Sequence, residues 1–291
     1  MLSHSLFHQL AKTAQQAILY EVSIQPKPGL VDPNHSGAHS DMDFFTFLSS
    51  ATSLYEGLFQ FAYNGYYFEG SSDEHFQSLR GLGMNCEDKM FRATNGINTH
   101  KGVIFSFATI VAATAKVLKQ KKINLHEYSR DDTTHILAEV RCLTENLITN
   151  DLENLPSTTQ LTNGEKLYKD YGILGIRGEV AKGFPIVANH ALPYLREEKS
   201  LDINTQLLYT LLIIMKHAED SNIVNRGNLD TLKYVQTQAD YLLTHCNNKQ
   251  LLYKGLSNLN HDFIQKNLSP GGSADLLCVT IYFALLENLI H

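Results

Sequence analysis

Residues 274–290 read ADLLCVTIYFALLENLI. The inner piece CVTIYF, 278–283, has the β-branched and aromatic make-up of a strand. It lies inside a longer apolar run in helical context, however, and the run is apolar nearly all round. A helix with no polar face is one buried among others, so the stretch predicts a helix at the centre of the fold.

Upstream segments carry the complementary pattern. Leu6, Leu10, Ala14, Ala17 and Ile18 share one face. Phe44, Phe47, Leu48, Ala51, Leu54, Tyr55 and Leu58 share another. Ile104, Ala108, Val111, Ala115 and Leu118 form a third, and Ile136, Val140, Leu143 and Leu147 a fourth. These are the i, i+3, i+4, i+7 spacings of amphipathic helices. Segments near 184–196, 202–219, 228–246 and 250–266 also read as helical. No series of alternating strands and no internal repeat is present. The reading is an all-α protein, 1–291, as a single multi-helix domain, with 150–165 (NDLENLPSTTQLTNGE) as a long exposed loop.

The bulk numbers exclude several classes. With 291 residues, 43% hydrophobic, the chain can bury a large core. A formal charge of −6 gives no basic field for nucleic acid. The apolar runs fall short of the ~20 residues that span a bilayer. The start, MLSHSLFHQLAKTAQQ, lacks the parts of a signal peptide. Cys86, Cys142, Cys246 and Cys278 form no CxxC pair and read as reduced structural thiols. The expectation is a soluble cytoplasmic protein.

Five polar, glycine-containing stretches interrupt the helices. PKPGLVDPNHSGAHSDMDF, 26–44, is stiffened by Pro26, Pro28 and Pro33. Its Ser40-x-x-Asp43 reads as a capping box, which leaves Asp32, His35, His39 and Asp41 without local purpose. In TNGINTHKGVIF, 94–105, Asn98 or Thr99 can cap a helix whose first turn then holds His100 and Lys101. Cations there oppose the helix dipole, and an anion would reconcile them; the plainer alternative is a solvated turn. GILGIRGEVAKGFP, 172–185, surrounds Arg177 and Glu179 with four glycines, or is simply a flexible connection. AEDSNIVNRGN, 218–228, brings Asp220, Asn222, Asn225 and Arg226 to a helix stop.

NLSPGGSADLL, 267–277, places Ser269 as N-cap and Pro270 at the first helical position. Gly271 and Gly272 would let a phosphate approach, and Asp275 suits a bridging Mg²⁺. Neither a P-loop nor a GxGxxG after a strand is present. Together the breaks predict one cleft lined by helix termini, suited to a polyphosphate and a metal.

These five motifs, in this order, resemble the triphosphoribosyl-dephospho-CoA synthase family, the CitG-type proteins of citrate lyase maturation and their malonate decarboxylase counterparts. The resemblance runs from about residue 10 to the C-terminus. One departure is Arg226-Gly227-Asn228, where the family commonly has Arg-Gly-Gly; Asn also tolerates a left-handed backbone.

The resemblance implies an all-helical, Mg²⁺-using pentosyltransferase. ATP and 3′-dephospho-CoA would give 2′-(5″-triphosphoribosyl)-3′-dephospho-CoA and adenine. That product is the prosthetic-group precursor of the citrate lyase acyl carrier protein, loaded by a separate transferase. A homo-oligomer stays open, as does the choice between citrate lyase and malonate decarboxylase.

The implied chemistry assigns roles. Asp41 and Asp275, with Asp220, would hold Mg²⁺ on the triphosphate. Lys27, Asn98, Lys101, Arg177, Asn222, Arg226 and the backbone from Ser269 through Gly271 and Gly272 to Ser273 would bind substrate. Glu179 would be the base on the acceptor hydroxyl and His100 would stand near the leaving adenine, with His39 and Asp43 as alternates. Two rivals remain: a metal-dependent helical hydrolase of an ADP-ribose-like glycosidic bond, and a non-catalytic nucleotide-binding partner of a lyase complex.

Overall fold

The computed structural model describes residues 2–154 and 161–290. Among them are fourteen α-helices and no strand; the one isolated bridge pairs Asp32 with His35. The chain runs through α1 (Leu2–Ser23), α2 (Phe44–Ser53), α3 (Tyr55–Tyr67), α4 (Ser72–Ala93) and α5 (Lys101–Lys121). It continues through α6 (Arg130–Leu143), α7 (Asn163–Tyr171), α8 (Gly175–Ala181), α9 (Leu192–Glu197) and α10 (Ile203–His217). The last four are α11 (Ser221–Arg226), α12 (Leu229–His245), α13 (Lys249–Gln265) and α14 (Gly271–Leu286).

The apolar run at 274–290 supplies most of α14, its last four residues lying beyond the helix, and α14 is central as expected. It packs on α1, α5, α9, α10 and α11. Residues Leu276 to Ala284 are all buried, and Thr280 donates its hydroxyl to the Leu276 carbonyl at 2.8 Å. Each such Leu, Ile or Phe contributes roughly 1.5–3 kcal/mol by leaving water.

A second helix shares the centre. α5 packs on α1, α3, α4, α6, α8 and α14. Its buried Ser106, Thr109 and Thr114 return their hydroxyls to carbonyls three or four residues back, so they need no outside partner. By length and hydropathy α5 could cross a bilayer, against the expectation from the sequence. Most of it is instead buried in the protein, 78% of its most apolar window. Buried apolar residues from α1 to α14 form one connected core.

Several local readings change. The face read as continuous from Phe44 to Leu58 is two helices, broken at Leu54, whose amide reaches Ala51 O at 3.4 Å. The capping box is Asp43 with Thr46, three residues later than Ser40 with Asp43. Asn228 is extended rather than left-handed and caps α12, accepting from the Thr231 amide at 2.9 Å. That gives the departure from Arg-Gly-Gly a structural use. The reading of 150–165 as a loop is corrected at its ends, a π-helical turn at Thr149–Glu153 and the start of α7; residues 155–160 lie outside the described ones.

Candidate active site

Glycine at 102 fixes the floor of the site. A Cβ there would lie 2.0 Å from Asp275 Oδ2, so the first turn of α5 and the first turns of α14 approach each other only because residue 102 has no side chain. Around this junction opens a cleft of about 820 Å³. Its walls come from the 27–42 loop, α4, the start of α5, α8, α11 and the start of α14. Residues of all five sequence motifs meet here, though no motif lines the cleft in full. The glycine-rich motif at 172–185 is divided: Arg177 faces the cleft, whereas Glu179 lines an adjoining cavity of about 170 Å³. The two cavities share Ile176 and Ser221.

Asp275 is the deep carboxylate of the cleft. Burial, then Asp220, then Glu21 push it well above the usual carboxylate range. It has no hydrogen bond or ion pair among the described residues. Glu179 is its counterpart in the side cavity: burial pushes it up to about 7, against one opposing hydrogen bond from the Ile186 amide at 3.2 Å. Two half-buried acids with no ion-pair partner among the described residues are a functional signature, because folding alone gains nothing from them.

The other carboxylates are committed. Glu21 holds Lys27: Lys27 Nζ lies 2.5 Å from Glu21 Oε1 and 2.8 Å from its carbonyl, and both residues are buried. Lys27 therefore reaches the cleft as half of an ion pair, which corrects its reading as a free phosphate ligand. Glu87 pairs with Lys101 at 3.0 Å. Asp32 accepts from the amides of Lys27, Asn34 and His35, so it knits the loop rather than serving chemistry.

Asp220 also departs from expectation. Its Oδ1 accepts from the amides of Asn222 (3.0 Å) and Ile223 (3.4 Å), and its Oδ2 from the Ser273 amide (2.8 Å) and hydroxyl (3.0 Å). It is a buried cap for α11 and α14, with little capacity left for a metal. The same contact takes the Ser273 amide expected to bind phosphate, and Gly272 lines the side cavity instead of the cleft. Helix α14 begins at Gly271, with Pro270 rather than Ser269 at the cap position.

At the mouth, Arg226 is oriented by carbonyls: NH1 donates to Ala38 O (2.9 Å) and to Asn267 Oδ1 (2.9 Å). His39 lies between Arg226 NH2 (3.3 Å) and the Ser269 hydroxyl (2.9 Å). Burial, then Arg226, lower its pKa, which favours the neutral ring. Asp41 is exposed at this rim, 3.9 Å from His39, and Asp43 is an exposed cap outside the cleft lining. Asp43 is thus corrected as an alternate catalytic group, and Asp41 stands apart from Asp275 as a metal partner. Asn98, whose Oδ1 accepts from the Lys101 amide at 3.2 Å, and Asn222 both line the cleft as expected.

His100 is buried, at the position just before α5, with its ring edge-on to Phe47 at 5.0 Å. Burial, then nearby Lys27, bring its pKa down to about 3, so it is neutral. Thr99 Oγ1 donates to Ser50 Oγ at 2.6 Å, and Ser50 Oγ is 2.6 Å from His100 Nδ1. With Thr99 donating, the Ser50 proton has Nδ1 as its one acceptor among the described residues. The ring proton then belongs on Nε2, which is buried with no protein partner. His100 is therefore a neutral donor, not a cation.

Arg80, on α4, is a cleft residue the sequence did not single out; both it and Arg177 donate to Asp151 Oδ2, the latter at 3.2 Å. Its signal would have been an arginine on a helix face of buried His75, Phe76, Leu79 and Cys86.

No group of three or more His, Cys, Asp or Glu close enough to cage a metal exists among the described residues. Mg²⁺ does not need one: it commonly takes one or two carboxylates and completes its shell with phosphate and water. Asp275, unpaired beside Asp220 and Glu21, fits that pattern; Asp220 and Asp41 fit it poorly.

A family model described as ATP:dephospho-CoA triphosphoribosyl transferase matches residues 7–291. A Streptococcus equi subsp. equi protein named as a probable 2-(5''-triphosphoribosyl)-3'-dephosphocoenzyme-A synthase is 41% identical over 295 residues, covering 99% of each chain. A Streptococcus mutans protein of the same name is 41% identical over 291 residues, covering 97% of each. A crystal structure from Archaeoglobus fulgidus, named as that of a putative triphosphoribosyl-dephospho-CoA synthase, matches with a TM-score of 0.50 at 14% identity, over 84% of this chain and 100% of that one. At that identity it shows the shared fold.

Proposed function

The chain belongs to the ATP:dephospho-CoA triphosphoribosyl transferase family and has triphosphoribosyl-dephospho-CoA synthase activity, and on that premise we propose that ATP and 3′-dephospho-CoA meet in the cleft above Gly102 and Asp275. The observation that carries the placement is the pair of half-buried acids without an ion-pair partner among the described residues, Asp275 in the cleft and Glu179 in the adjoining cavity. A ribosyl transfer from ATP needs a site for the metal-bound triphosphate and a base for the incoming hydroxyl.

In this reading Asp275 would hold Mg²⁺, whose charge would offset that of the triphosphate. Arg226, Lys101, Ser269 and Gly271 frame the phosphates, with Asn98 and Asn222 beside them. Lys27 contributes through the Glu21 pair, as a fixed positive charge deep in the cleft rather than a mobile ligand. Glu179, poised near neutrality, takes the proton of the acceptor 2′-hydroxyl. The ribosyl carbon develops oxocarbenium character as the bond to adenine breaks. The Nε2–H of His100 donates to the departing purine and stabilises the charge it gains. A single displacement inverts the ribosyl carbon.

The product is the precursor of the prosthetic group on a citrate lyase acyl carrier protein, passed to a separate transferase; the malonate decarboxylase route would use the same chemistry. This reading places the reaction in the cytoplasm.

Incubation with ATP, Mg²⁺ and dephospho-CoA, followed by mass spectrometry, tests the reading. Adenine and a triphosphoribosyl adduct are expected, both dependent on dephospho-CoA. Adenine released equally well without the acceptor would mean a hydrolase, and ATP bound without any turnover would mean a binding partner.

A further inference from the structure

Arg80 on α4 and Arg177 on α8 share one carboxylate. Arg80 NH2 and Arg177 Nε both donate to Oδ2 of Asp151, and all three residues line the large cleft. Two guanidiniums share the one carboxylate of Asp151, with Glu165 of α7 the other acid that acts on Arg177. Their hydrogen-bonding capacity is also incomplete. Arg80 Nε is buried with no acceptor, and NH1 and NH2 of Arg177 have no acceptor among the described residues.

The pair is held in position. The Arg80 guanidinium lies 4.9 Å from the centre of the Phe76 ring, which fixes its plane. A Cβ on Gly164 would lie 2.9 Å from Arg177 NH1, so the bare glycine lets that guanidinium lie against the first turn of α7. Thr162 caps that helix with Glu165, and its first residues face the cleft.

This wall differs from the Asp275 floor in one decisive way. Asp151 is engaged by both guanidiniums, whereas Asp275 is unpaired. A triphosphate carrying a divalent metal belongs with the free carboxylate. Two planar forks with spare donors suit phosphate oxygens that come without a metal. Under the transferase reading, the second substrate supplies such a group: a diphosphate linking its nucleoside to its pantetheine arm.

We propose that Arg80 and Arg177, braced by Asp151, form the subsite for the diphosphate of the acceptor dephospho-CoA. This rests on the placement of the ATP phosphates at Asp275 and Arg226. Arg80→Ala and Arg177→Ala should each weaken dephospho-CoA binding about ten-fold or more, the loss of a charge-assisted hydrogen-bonded contact. KM for ATP should stay within about two-fold. Arg80→Lys keeps the charge and loses the fork, so it should recover only part of the affinity. Asp151→Asn, which touches no ligand, should also weaken dephospho-CoA by loosening both arginines.

The test is calorimetric titration of the full chain with dephospho-CoA alone, and with 4′-phosphopantetheine, which lacks the diphosphate. Steady-state KM values for both substrates and thermal unfolding of each variant accompany it. Weakened dephospho-CoA binding, with 4′-phosphopantetheine unaffected by the substitutions, supports the subsite. Loss of ATP affinity instead, or unchanged dephospho-CoA affinity in folded Arg177→Ala and Arg80→Lys, overturns it. Adenine release by the wild type that ignores dephospho-CoA would overturn the transferase reading itself, and the titration would still decide the subsite.

Discussion

The Asp220 carboxylate accepts both the amide and the hydroxyl of Ser273, at 2.8 and 3.0 Å, while its other oxygen caps α11. One buried acid thus fixes the starts of two helices that border both cavities. Burial alone raises its pKa, and the hydrogen bonds from Ser273, Gly272 and Asn222 offset part of that. Asp220→Ala should leave these donors unsatisfied and lose on the order of 3 kcal/mol of stability, read as a lowered denaturation midpoint. Asp220→Asn keeps one acceptor and should lose less. A loss of Mg²⁺ dependence with unchanged stability would instead return Asp220 to the metal.

Gly102 and Asp275 give the sharpest local test. A Cβ at residue 102 would come within 2.0 Å of Asp275 Oδ2, so Gly102→Ala must displace the carboxylate or the α5 start. We expect Gly102→Ala to lower kcat/KM by about a hundred-fold, in keeping with a misplacement near 1 Å. Asp275→Asn should raise the Mg²⁺ concentration needed for half-maximal rate and, by removing a buried charge site, hold or raise stability at pH 8. An unchanged Mg²⁺ requirement in Asp275→Asn would remove it from the metal site.

How far the sequence carries can be judged from α14 and α4. Helix α14 was legible because an apolar run with no polar face admits few placements. Helix α4 was not: Gly81 and Gly83 lower helix propensity, and its buried face includes His75, Gly83 and Cys86 beside Phe76, Leu79 and Met90. Arg80 and Glu87 were missed with it. The motifs located the cleft, because a helix break rich in titratable groups is a local feature. Residue roles were harder, since a role depends on the partner. Lys27 and Lys101 looked free in sequence and are paired with Glu21 and Glu87. Asp220 looked like a ligand, and two of its four donors come from Ser273, 53 positions away.

Glu179 makes a pH prediction with a definite sign. Its ordinary value of 4.5 is raised to about 7, chiefly by burial. Between these values the unfolded chain has lost the proton and the folded chain still holds it. Its contribution therefore falls as pH rises from about 4.5 to 7, by at most on the order of 3 kcal/mol. Glu179→Gln should be more stable than wild type at pH 8 and equally stable at pH 4. In kinetics, wild-type kcat should climb through pH 7 and level off, and Glu179→Gln should lose that limb with most of its rate. A variant that keeps near-normal kcat would end its assignment as the base.

Ser50 and Thr99 supply the last prediction, through His100. The two 2.6 Å contacts hold the imidazole with Nδ1 as acceptor and Nε2 as donor. Ser50→Ala removes the proton offered to Nδ1, so the ring is free to take the opposite tautomer. We expect kcat to fall about ten-fold, the worth of one hydrogen bond, with KM for ATP little changed. Thr99→Val should act in the same direction and Thr99→Ser should restore the rate, because only the hydroxyl matters. A packing defect would not discriminate between these two or alter the ring nitrogens. Long-range ¹H–¹⁵N spectra of histidine-labelled protein read the tautomer directly, and should show Nε2–H in the wild type and a mixture in Ser50→Ala. ATP analogues lacking one purine nitrogen add a chemical check: for the nitrogen that receives the proton, deletion should abolish the difference between wild type and Ser50→Ala. An Nδ1–H signal in the wild type would refute the relay. A flipped tautomer with full kcat would show that His100 is held in this form for folding rather than for adenine.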